Sequence, residues 1–304
     1  MKALVITRFG GPDVLELQTV PDAHTGPDQV LIKVDAGGLN FAGLDPSGRR
    51  VMGYTQWAAF AQQTAAYRAL LWPVPATWTA EQGAAFPVNF FTAYFAFWKA
   101  GLIVNPGEKK VNPGGDKPAG PRVLIHAVAG GVGTAAVQIG KILGVEMYGT
   151  SSSEEKLARV RELGLQHGIN YKQKDYVEAI KELTNGEGVD AVFEMLGGEH
   201  VARSVRCLRD FGRVIVYGAA TGETPQLDTR LLYAKGASVH GLWLSYLSQN
   251  RSLMESAWKQ LSEWLAAGNL NPVIGKVFPL AEARAAYTLM QEGKNYGKII
   301  LKIA

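Results

Sequence analysis

The chain has 304 residues, of which 47% are hydrophobic, and its 31 basic and 27 acidic side chains give a formal net charge of +4. This length suffices for two domains, and this composition supports a sizeable core and excludes a largely disordered chain. No basic run occurs, which argues against nucleic acid as a partner. The single cysteine, Cys207, excludes an internal disulfide and a thiolate zinc cluster, so we expect no metal.

The apolar stretches of the sequence are too short for export or membrane insertion. The first residues form too short an apolar run for a signal peptide. The longest uncharged stretch, residues 82–98, is shorter than a membrane span and contains Pro87. We therefore interpret this stretch as a buried helix and expect a cytoplasmic enzyme without a membrane span.

The N-terminal part of the chain is predicted to be rich in β-structure. Strands are predicted at 3–6 and 29–34, with turns at 10–13, 21–27 and 45–48 and a loop at 35–41. Residues 54–75 lack clear alternation and receive no assignment. Thr79 and Gln82 form a capping-box pattern that starts a short helix, and a second helix is predicted from Pro87 to Trp98. The stretch 105–121, rich in Gly, Pro and Lys, is expected to be a loop or linker.

A regular alternation of strands and helices follows this stretch. Strands are predicted at 123–127, 145–150, 189–196, 212–218 and 238–244. Helices are predicted at 132–143, 154–163, 176–184, 200–208 and 230–235. This alternation indicates βαβ units and a parallel, doubly wound sheet.

The tail of the chain returns to the pattern of its start. A long amphipathic helix at 252–267 is followed by a strand at 273–278, a helix at 280–291 and a strand at 298–303. We therefore predict an α/β protein in which a mixed-β domain, built from both chain ends, carries an inserted dinucleotide-binding domain.

Residues 123–143 have the order strand, glycine-rich turn, helix. Apolar, β-favouring residues lead into Gly130-Gly131-Val132-Gly133, and a helical segment of small residues follows. Glycines permit a tight turn and a close backbone approach, and the helix N-terminus offers N–H groups and the positive end of its dipole to phosphates. Because a βαβ unit surrounds this turn, we predict that it binds a nucleotide diphosphate. In the alternative, the turn is kept for packing alone.

The end of the next predicted strand bears on the choice of nucleotide. A fold that prefers NADH places a carboxylate here, which accepts hydrogen bonds from the ribose 2′-hydroxyl. This chain has Gly-Thr-Ser at 149–151, with Lys156 a helical turn further on. Hydroxyls and a cation suit a 2′-phosphate, which a carboxylate would repel, so NADPH is predicted over NADH. In the alternative, Ser152 and Glu155 form a capping box and Lys156 belongs to the helix surface.

Other chemistries lack their signatures in this sequence. The five histidines are scattered without metal-ligand spacing, and neither a nucleophile-elbow serine motif nor a Walker lysine motif occurs. We therefore expect neither a metal site nor a hydrolase nor a kinase. His126 is predicted to pack on its strand and Cys207 on a helix. Gly218, at the end of a predicted strand, either lets a cofactor approach or makes an ordinary turn.

Several blocks of the sequence resemble one known family. Residues 127–133, with Gln138 and Lys141, resemble the fingerprint of the quinone oxidoreductases similar to zeta-crystallin, the zinc-free branch of the medium-chain dehydrogenase/reductase superfamily. Further family-like blocks follow in family order at 37–42, 86–94, 149–156, 169–171, 212–218 and 296–300. The resemblance implies a GroES-like catalytic domain, residues 1–88 with 272–304, and an NADPH-binding Rossmann domain, residues 89–271.

The resemblance also implies which residues hold NADPH. Those that match the pyrophosphate turn are Ala129, Gly130, Gly131, Val132 and Gly133. Those that match contacts to the adenosine and its 2′-phosphate are Thr150, Ser152, Lys156 and Tyr171. Those that match the nicotinamide end and its walls are Asn40, Asn89, Thr92, Gly197, Gly218, Ala219, Leu242, Leu244, Asn295 and Lys298. No residue is implied as a catalytic acid or base.

The chain departs from the family pattern in two places. Residues 42–51 join two motifs that family members separate by a few dozen residues, so we expect a shortened catalytic domain. The stretch 105–121 replaces a short link. The resemblance implies a homodimer that transfers hydride from NADPH to a small molecule, either a quinone or a similar electron-poor acceptor. The alternatives are an enoyl-thioester or alkenal reductase and an NADPH-binding protein without turnover.

Overall fold

The computed structural model describes residues 1–8, 10–38, 41–55, 57–104 and 120–303. The chain divides into two compact units, Met1–Phe90 with Asn271–Ala304 and Phe91–Leu270. Asn40 and most of the predicted linker at 105–121 lie outside the described residues. The assignment of one unit to catalysis and the other to the cofactor stays a prediction.

The N-terminal elements of the first unit are mainly strands. They are β1 (Lys2–Ile6), β2 (Leu15–Thr19), β3 (Gln29–Gly37), β4 (Phe41–Leu44), β5 (Arg50–Gly53), β6 (Gln63–Tyr67) and β7 (Leu71–Pro73). The helices α1 (Ala80–Ala85) and α2 (Pro87–Lys99) follow, and the unit boundary falls within α2. β1 and β2 form an antiparallel pair, and β3 pairs antiparallel with both β4 and β6. The predicted capping box of Thr79 and Gln82 is confirmed at the start of α1.

The predicted loop at 35–41 is too long. β3 continues to Gly37 and β4 begins at Phe41, and residues 39 and 40 of the predicted loop lie outside the described residues. A Cβ on Gly37 would lie 2.7 Å from the Ala59 carbonyl oxygen, so this glycine permits close packing inside a strand and does not mark a turn. The unassigned residues 54–75 contain β6 and β7.

The short connection predicted near residues 42–51 is a hairpin. β4 and β5 pair antiparallel across a tight turn, as the turn prediction for 45–48 requires. The Asp45 carboxylate accepts hydrogen bonds from the Ser47 hydroxyl at 2.7 Å and from the Arg49 N–H at 3.0 Å. These hydrogen bonds, that from the Ser47 hydroxyl first, lower the pKa of Asp45 to about 2 and keep the carboxylate ionised in the turn.

The second unit is a parallel α/β structure. Its strands are β8 (Arg122–Ile125), β9 (Glu146–Ser151), β10 (His167–Asn170), β11 (Val189–Glu194), β12 (Leu208–Val216) and β13 (Ser238–Gly241). Its helices after α2 are α3 (Gly131–Ile142), α4 (Glu154–Leu163), α5 (Tyr176–Leu183), α6 (His200–Cys207), α7 (Arg230–Tyr233), α8 (Leu244–Leu247) and α9 (Arg251–Ala266). The strands are parallel in the order β10-β9-β8-β11-β12-β13. This is the Rossmann order, whose switch point lies between β8 and β11, and it confirms the predicted doubly wound sheet.

The predicted elements of this unit differ from the observed ones most clearly at β10 and β13. β10 was not predicted, because its four residues, His-Gly-Ile-Asn, show neither alternation nor a run of β-branched side chains. The strand predicted at 238–244 is too long, since β13 ends at Gly241 and Leu244 begins α8. α4 has the predicted bounds, and the residue that caps its C-terminus is Gly164, whose φ of 119° suits glycine.

The last elements return to the first unit. β14 (Ile274–Pro279), α10 (Ala283–Gln291) and β15 (Lys298–Lys302) follow one another. β15 pairs parallel with β14 and antiparallel with β3, so that both chain ends share one sheet, as predicted. The helix predicted at 280–291 begins with a 3-10 turn at Leu280–Glu282.

Each unit has its own apolar core. In the second unit the Phe97 and Phe193 rings pack edge to face with centroids 4.8 Å apart, and Phe95 is fully buried. These contacts explain why α2 is uncharged until Lys99 and confirm that the apolar stretch 82–98 forms buried helix. A separate cluster in the first unit joins β3, β5 and β6 through Val30, Ile32, Val34, Val51 and Ala66. Within the described ranges, no helix is long and apolar enough to cross a membrane.

Candidate functional site

The turn between β8 and α3 lies at the carboxyl edge of the parallel sheet, beside its switch point. Residues 126–129 form the turn, and the Gly130 N–H donates to the Ala127 carbonyl at 2.8 Å. Gly130 is the N-cap of α3 and has no side chain to bond the helix. The first N–H groups of α3 can therefore bind an anion, and the helix dipole favours its negative charge.

Two glycines let the backbone of this turn lie against both neighbouring elements. A Cβ on Gly133 would lie 2.4 Å from the Val128 carbonyl oxygen and 2.6 Å from that of Ala127. A Cβ on Gly149 of β9 would lie 2.7 Å from the Val128 side chain. Ala127 itself has a φ of 46°, which is unusual for a residue with a side chain. The close contacts of this turn thus depend on glycine at both positions, and its binding of a diphosphate stays a prediction.

A buried histidine supports the turn from below. The His126 ring is 1% exposed, with Nδ1 3.0 Å from the Thr150 hydroxyl and Nε2 3.1 Å from the Ser204 hydroxyl. Burial lowers the pKa of His126 to about 3, so the ring is neutral near pH 7. The prediction that His126 is a packing residue is confirmed. The Thr150 hydroxyl is thus hydrogen-bonded to His126 beneath the turn.

The predicted residues of the adenosine end come together where β9 and β10 end. Asn170 pairs with Ser151, and the Tyr171 N–H donates to the Ser151 carbonyl at 3.1 Å. The Tyr171 side chain is 51% exposed and presents a ring on which a base could stack. Ser152 and Lys156 follow β9 on the same carboxyl edge.

The cap of α4 differs from the prediction. Ser153 is the N-cap, and its hydroxyl accepts a hydrogen bond from the Lys156 N–H at 3.4 Å. The capping box that the alternative interpretation gave to Ser152 and Glu155 is wrong, because the chain stays extended for one residue more than the pattern suggests.

A second lysine, which was not singled out from the sequence, lies near Lys156. Burial, and then the charge of Lys172, lowers the pKa of Lys156, although Glu155 opposes this effect. Lys172 directly follows Tyr171 at the end of β10. The position of Lys172 next to Tyr171, a predicted contact residue, was a signal for this lysine in the sequence. Because β10 was not predicted, the sequence did not place Lys172 at this edge of the sheet. Two lysines, Lys156 and Lys172, therefore lie at the carboxyl edge of β9 and β10.

The predicted residues at the ends of β11 and β12 pack on one another. A Cβ on Gly218 would lie 2.9 Å from the Met195 carbonyl oxygen, and one on Gly197 would lie 3.1 Å from the Ala219 Cα. Close packing of the two loops thus explains Gly218. Glu194 is fully buried below them, and its carboxylate accepts hydrogen bonds from the Leu196 N–H at 2.6 Å and the Gly197 N–H at 3.1 Å. Burial raises the pKa of Glu194. This loop-holding carboxylate was not identified from the sequence.

Two further predicted residues of the second unit are buried at the same edge. Leu242 and Leu244 follow β13 and are 5% and 7% exposed. The Leu242 N–H donates to the Val216 carbonyl at 2.8 Å, which fixes the loop after β13 to the end of β12. Thr92, on α2, is 6% exposed.

The predicted residues of the first unit lie at the start of α2 and near β15. The Asn89 amide donates to the Ala85 carbonyl at 2.8 Å, and the Asn295 amide donates to the Gly297 carbonyl at 3.2 Å. Lys298 begins β15, and burial lowers its pKa to about 8. Asn40 lies outside the described residues. In the part of the chain that is described, no group of three His, Cys, Asp or Glu side chains is placed to hold a metal ion.

The fold and the glycine turn define a two-unit α/β protein of the dehydrogenase/reductase class, and comparisons with known proteins agree. The family described as zinc-binding dehydrogenases matches residues 131–267. Mouse quinone oxidoreductase is 30% identical over 99% of this chain and 97% of its own length. The human synaptic vesicle membrane protein VAT-1 homolog is 30% identical over 99% of this chain and 86% of its own length.

Solved structures share the whole fold. The quinone oxidoreductase of Thermus thermophilus, also solved in complex with NADPH, is 30% identical, covers 100% of both chains and has a TM-score of 0.84. The CurK enoyl reductase is 25% identical, covers 100% of this chain and 99% of its own, and has a TM-score of 0.85. The chain belongs to the quinone oxidoreductase branch of the medium-chain dehydrogenase/reductase superfamily.

The same comparison bears on the length of this chain. The alignment with mouse quinone oxidoreductase spans 350 positions, whereas this chain has 304 residues. This chain therefore lacks residues that its relative has. The sequence pattern places the shortening near residues 42–51, where the structure has the hairpin of β4 and β5.

Proposed function

We propose that this protein is a zinc-independent, NADPH-dependent oxidoreductase that transfers hydride to a quinone or a similar electron-poor acceptor. The observation that carries the proposal is the positively charged edge at Lys156 and Lys172, on the same side of the sheet as the glycine turn. A 2′-phosphate would neutralise this edge, whereas the ribose hydroxyl of NADH would not. The NADPH complex of the related Thermus thermophilus enzyme supports the same cofactor.

The proposed site assigns a role to each part of the carboxyl edge. Gly130 to Gly133 and the N–H groups of α3 hold the diphosphate, and Ser152, Lys156 and Tyr171 hold the adenosine with its 2′-phosphate. Bound NADPH supplies the hydride from its nicotinamide ring. The protein binds and orients, and we assign no catalytic acid or base because a reduced quinone can take its proton from water. The remaining residues of the proposed site are Ala129, Thr150, Asn40, Asn89, Thr92, Gly197, Gly218, Ala219, Leu242, Leu244, Asn295 and Lys298.

A second candidate function is reduction of a carbon–carbon double bond that is conjugated to a carbonyl group. It is favoured by the likeness to the CurK enoyl reductase and by a 2-haloacrylate reductase from a Burkholderia species, which is 39% identical over 60% of this chain and 55% of its own length. Such a substrate needs a proton as well as a hydride, so a proton source would have to face the site.

The test follows NADPH absorbance with a quinone, an enoyl thioester and an alkenal in parallel. Oxidation that depends on the quinone supports the proposal, and faster oxidation with the enoyl thioester or the alkenal favours the second candidate. Tight NADPH binding without oxidation by any acceptor would contradict both and leave a binding protein.

Lys156→Ala is expected to raise the Kd for NADPH about tenfold more than the Kd for NADH, since the ammonium contacts a phosphate that NADH lacks. Binding is measured by the quenching of protein fluorescence. Lys181→Ala, which removes an exposed lysine from α5, is the matched control and should change neither Kd. Equal weakening of both nucleotides in Lys156→Ala would show that this lysine does not contact the 2′-phosphate.

We further propose that the protein is a homodimer joined at the edge strand β13. This strand ends the parallel sheet, and two aromatic side chains close behind it, Trp243 and Tyr246, are 67% and 69% exposed. An unpaired strand edge with exposed aromatics is a pairing surface, and a two-fold axis would place a second β13 against it. Sedimentation should show a dimer that Trp243→Glu converts to a monomer. A monomeric wild-type protein would overturn the proposal.

A further inference from the structure

Two ammonium groups share the carboxyl edge where β9 and β10 end. Lys156 lies in the first turn of α4, directly after β9, and Lys172 lies in the turn after β10. After burial, the charge of Lys172 lowers the pKa of Lys156, whereas the charge of Glu155 raises it. Like charges on one edge repel each other, and a bound anion would reduce that repulsion.

Hydrogen bonds of the backbone N–H groups fix the turn that carries Lys172. Its N–H donates to the Asn170 side-chain oxygen at 3.1 Å, and Asn170 is 9% exposed. The preceding N–H, that of Tyr171, donates to the Ser151 carbonyl at 3.1 Å. The turn after β10 is thus tied to the end of β9, and the position of Lys172 relative to Ser152 is set by the sheet.

The neighbouring lysine in the same turn has a different environment. Lys174 forms an ion pair with Glu182 on α5, whereas Lys172 forms no ion pair within the part of the chain that the structure describes. Both side chains are exposed, and only two positions separate them. The charge of Lys174 is thus balanced by Glu182, whereas that of Lys172 is not balanced by an ion pair with any described residue. Lys174 is therefore a suitable control for a substitution of Lys172.

We propose that Lys172 is a second cation for the 2′-phosphate of the cofactor and, together with Lys156, determines the preference for NADPH. This proposal rests on the proposed function. The phosphate would accept hydrogen bonds from both ammonium groups, with the Ser152 hydroxyl as a neutral donor beside them. Binding of the phosphate would also reduce the repulsion between the two lysines. Lys172 would therefore raise the affinity for the 2′-phosphate in two ways, by direct contact and by the loss of this repulsion.

The test compares the 2′-phosphate contribution in three variants without any turnover. Titration calorimetry with 2′,5′-ADP and with 5′-AMP isolates that contribution, because the two ligands differ in the 2′-phosphate alone. Lys172→Ala should weaken 2′,5′-ADP about tenfold and leave 5′-AMP unchanged. Lys174→Ala, the control, should change neither affinity. Lys172→Arg should restore most of the affinity for 2′,5′-ADP, since it keeps the charge.

A second measurement excludes a structural explanation. Without ligand, Lys172→Ala should melt at the wild-type temperature or above it, because it removes a repulsion; the increase in Tm given by 2′,5′-ADP should shrink. If Lys172→Ala binds 2′,5′-ADP as tightly as wild type while Lys156→Ala does not, the inference is wrong and the proposed cofactor stands. If wild type itself binds 2′,5′-ADP no more tightly than 5′-AMP, the proposed cofactor fails as well.

Discussion

Gly133→Ala is expected to lower the affinity for NADPH about hundredfold and to lower the free energy of unfolding by about 2 kcal/mol. The added methyl would meet the carbonyl oxygens of Val128 and Ala127 at 2.4 and 2.6 Å. These are backbone atoms, so they cannot rotate away, and the turn must open. Alanine would favour α3 over glycine by about 1 kcal/mol, which is smaller than the cost of such overpacking.

Two glycines serve as controls for this prediction. At Gly130, in the same turn, the nearest atom would be the Ala127 carbonyl oxygen at 3.2 Å, so Gly130→Ala should destabilise less than Gly133→Ala. At Gly26 the nearest atom is the end of the flexible Gln29 side chain at 3.3 Å, so Gly26→Ala should leave NADPH binding unchanged. Denaturant unfolding and nucleotide titration measure both quantities. A Gly133→Ala protein with wild-type affinity would show that the turn does not hold the diphosphate.

Mild acid is expected to destabilise this protein because His126 is buried as a neutral ring. Its pKa is about 3 in the folded state, against about 6.5 in an unfolded chain. The unfolded state therefore binds more protons between these values, and stability rises with pH in that interval. The contribution is complete above pH 6.5 and falls by about 1.4 kcal/mol per pH unit below it, so about 2 kcal/mol is lost by pH 5.

A variant in which residue 126 cannot titrate separates the contribution of His126 from that of the carboxylates, which are the same in the wild type and in the variant. His126→Gln should be less stable than wild type at pH 7.5, because glutamine cannot reproduce both hydrogen bonds to Thr150 and Ser204. Its unfolding free energy should fall less steeply from pH 6.5 to 5, and the gap between the two proteins should close by about 2 kcal/mol. Parallel curves over this interval would mean that His126 is not held neutral by burial. Above pH 6.5 the curves should run parallel.

The Glu194 carboxylate supports a loop beside the proposed cofactor site. It holds the loop after β11 through the N–H groups of Leu196 and Gly197, and that loop packs on Gly218 and Ala219 after β12. The end of β11 borders the switch point of the sheet. Glu194 therefore shapes the wall of the proposed cofactor site without reaching its surface.

The sequence by itself determined the fold class, the parallel sheet and the glycine turn. Their signals are local: alternation of strand and helix patterns, apolar residues before Gly130, and helix caps such as Thr79. The resemblance carried by blocks along the chain indicated the family, and relatives at 30% identity confirm it. Each of these signals lies within a short window of sequence, so no knowledge of distant contacts was needed.

Only the tertiary structure decided how the side chains of the site are used. It showed that the Thr150 hydroxyl bonds His126 and that Ser153 caps α4 in place of Ser152. It also placed Lys172 in the turn after β10, on the edge of the sheet where Lys156 follows β9. The first and the last of these facts depend on the pairing of β8, β9 and β10, which brings together residues far apart in the chain. Strand pairing is decided by packing between elements, and a residue pattern within one element does not contain it.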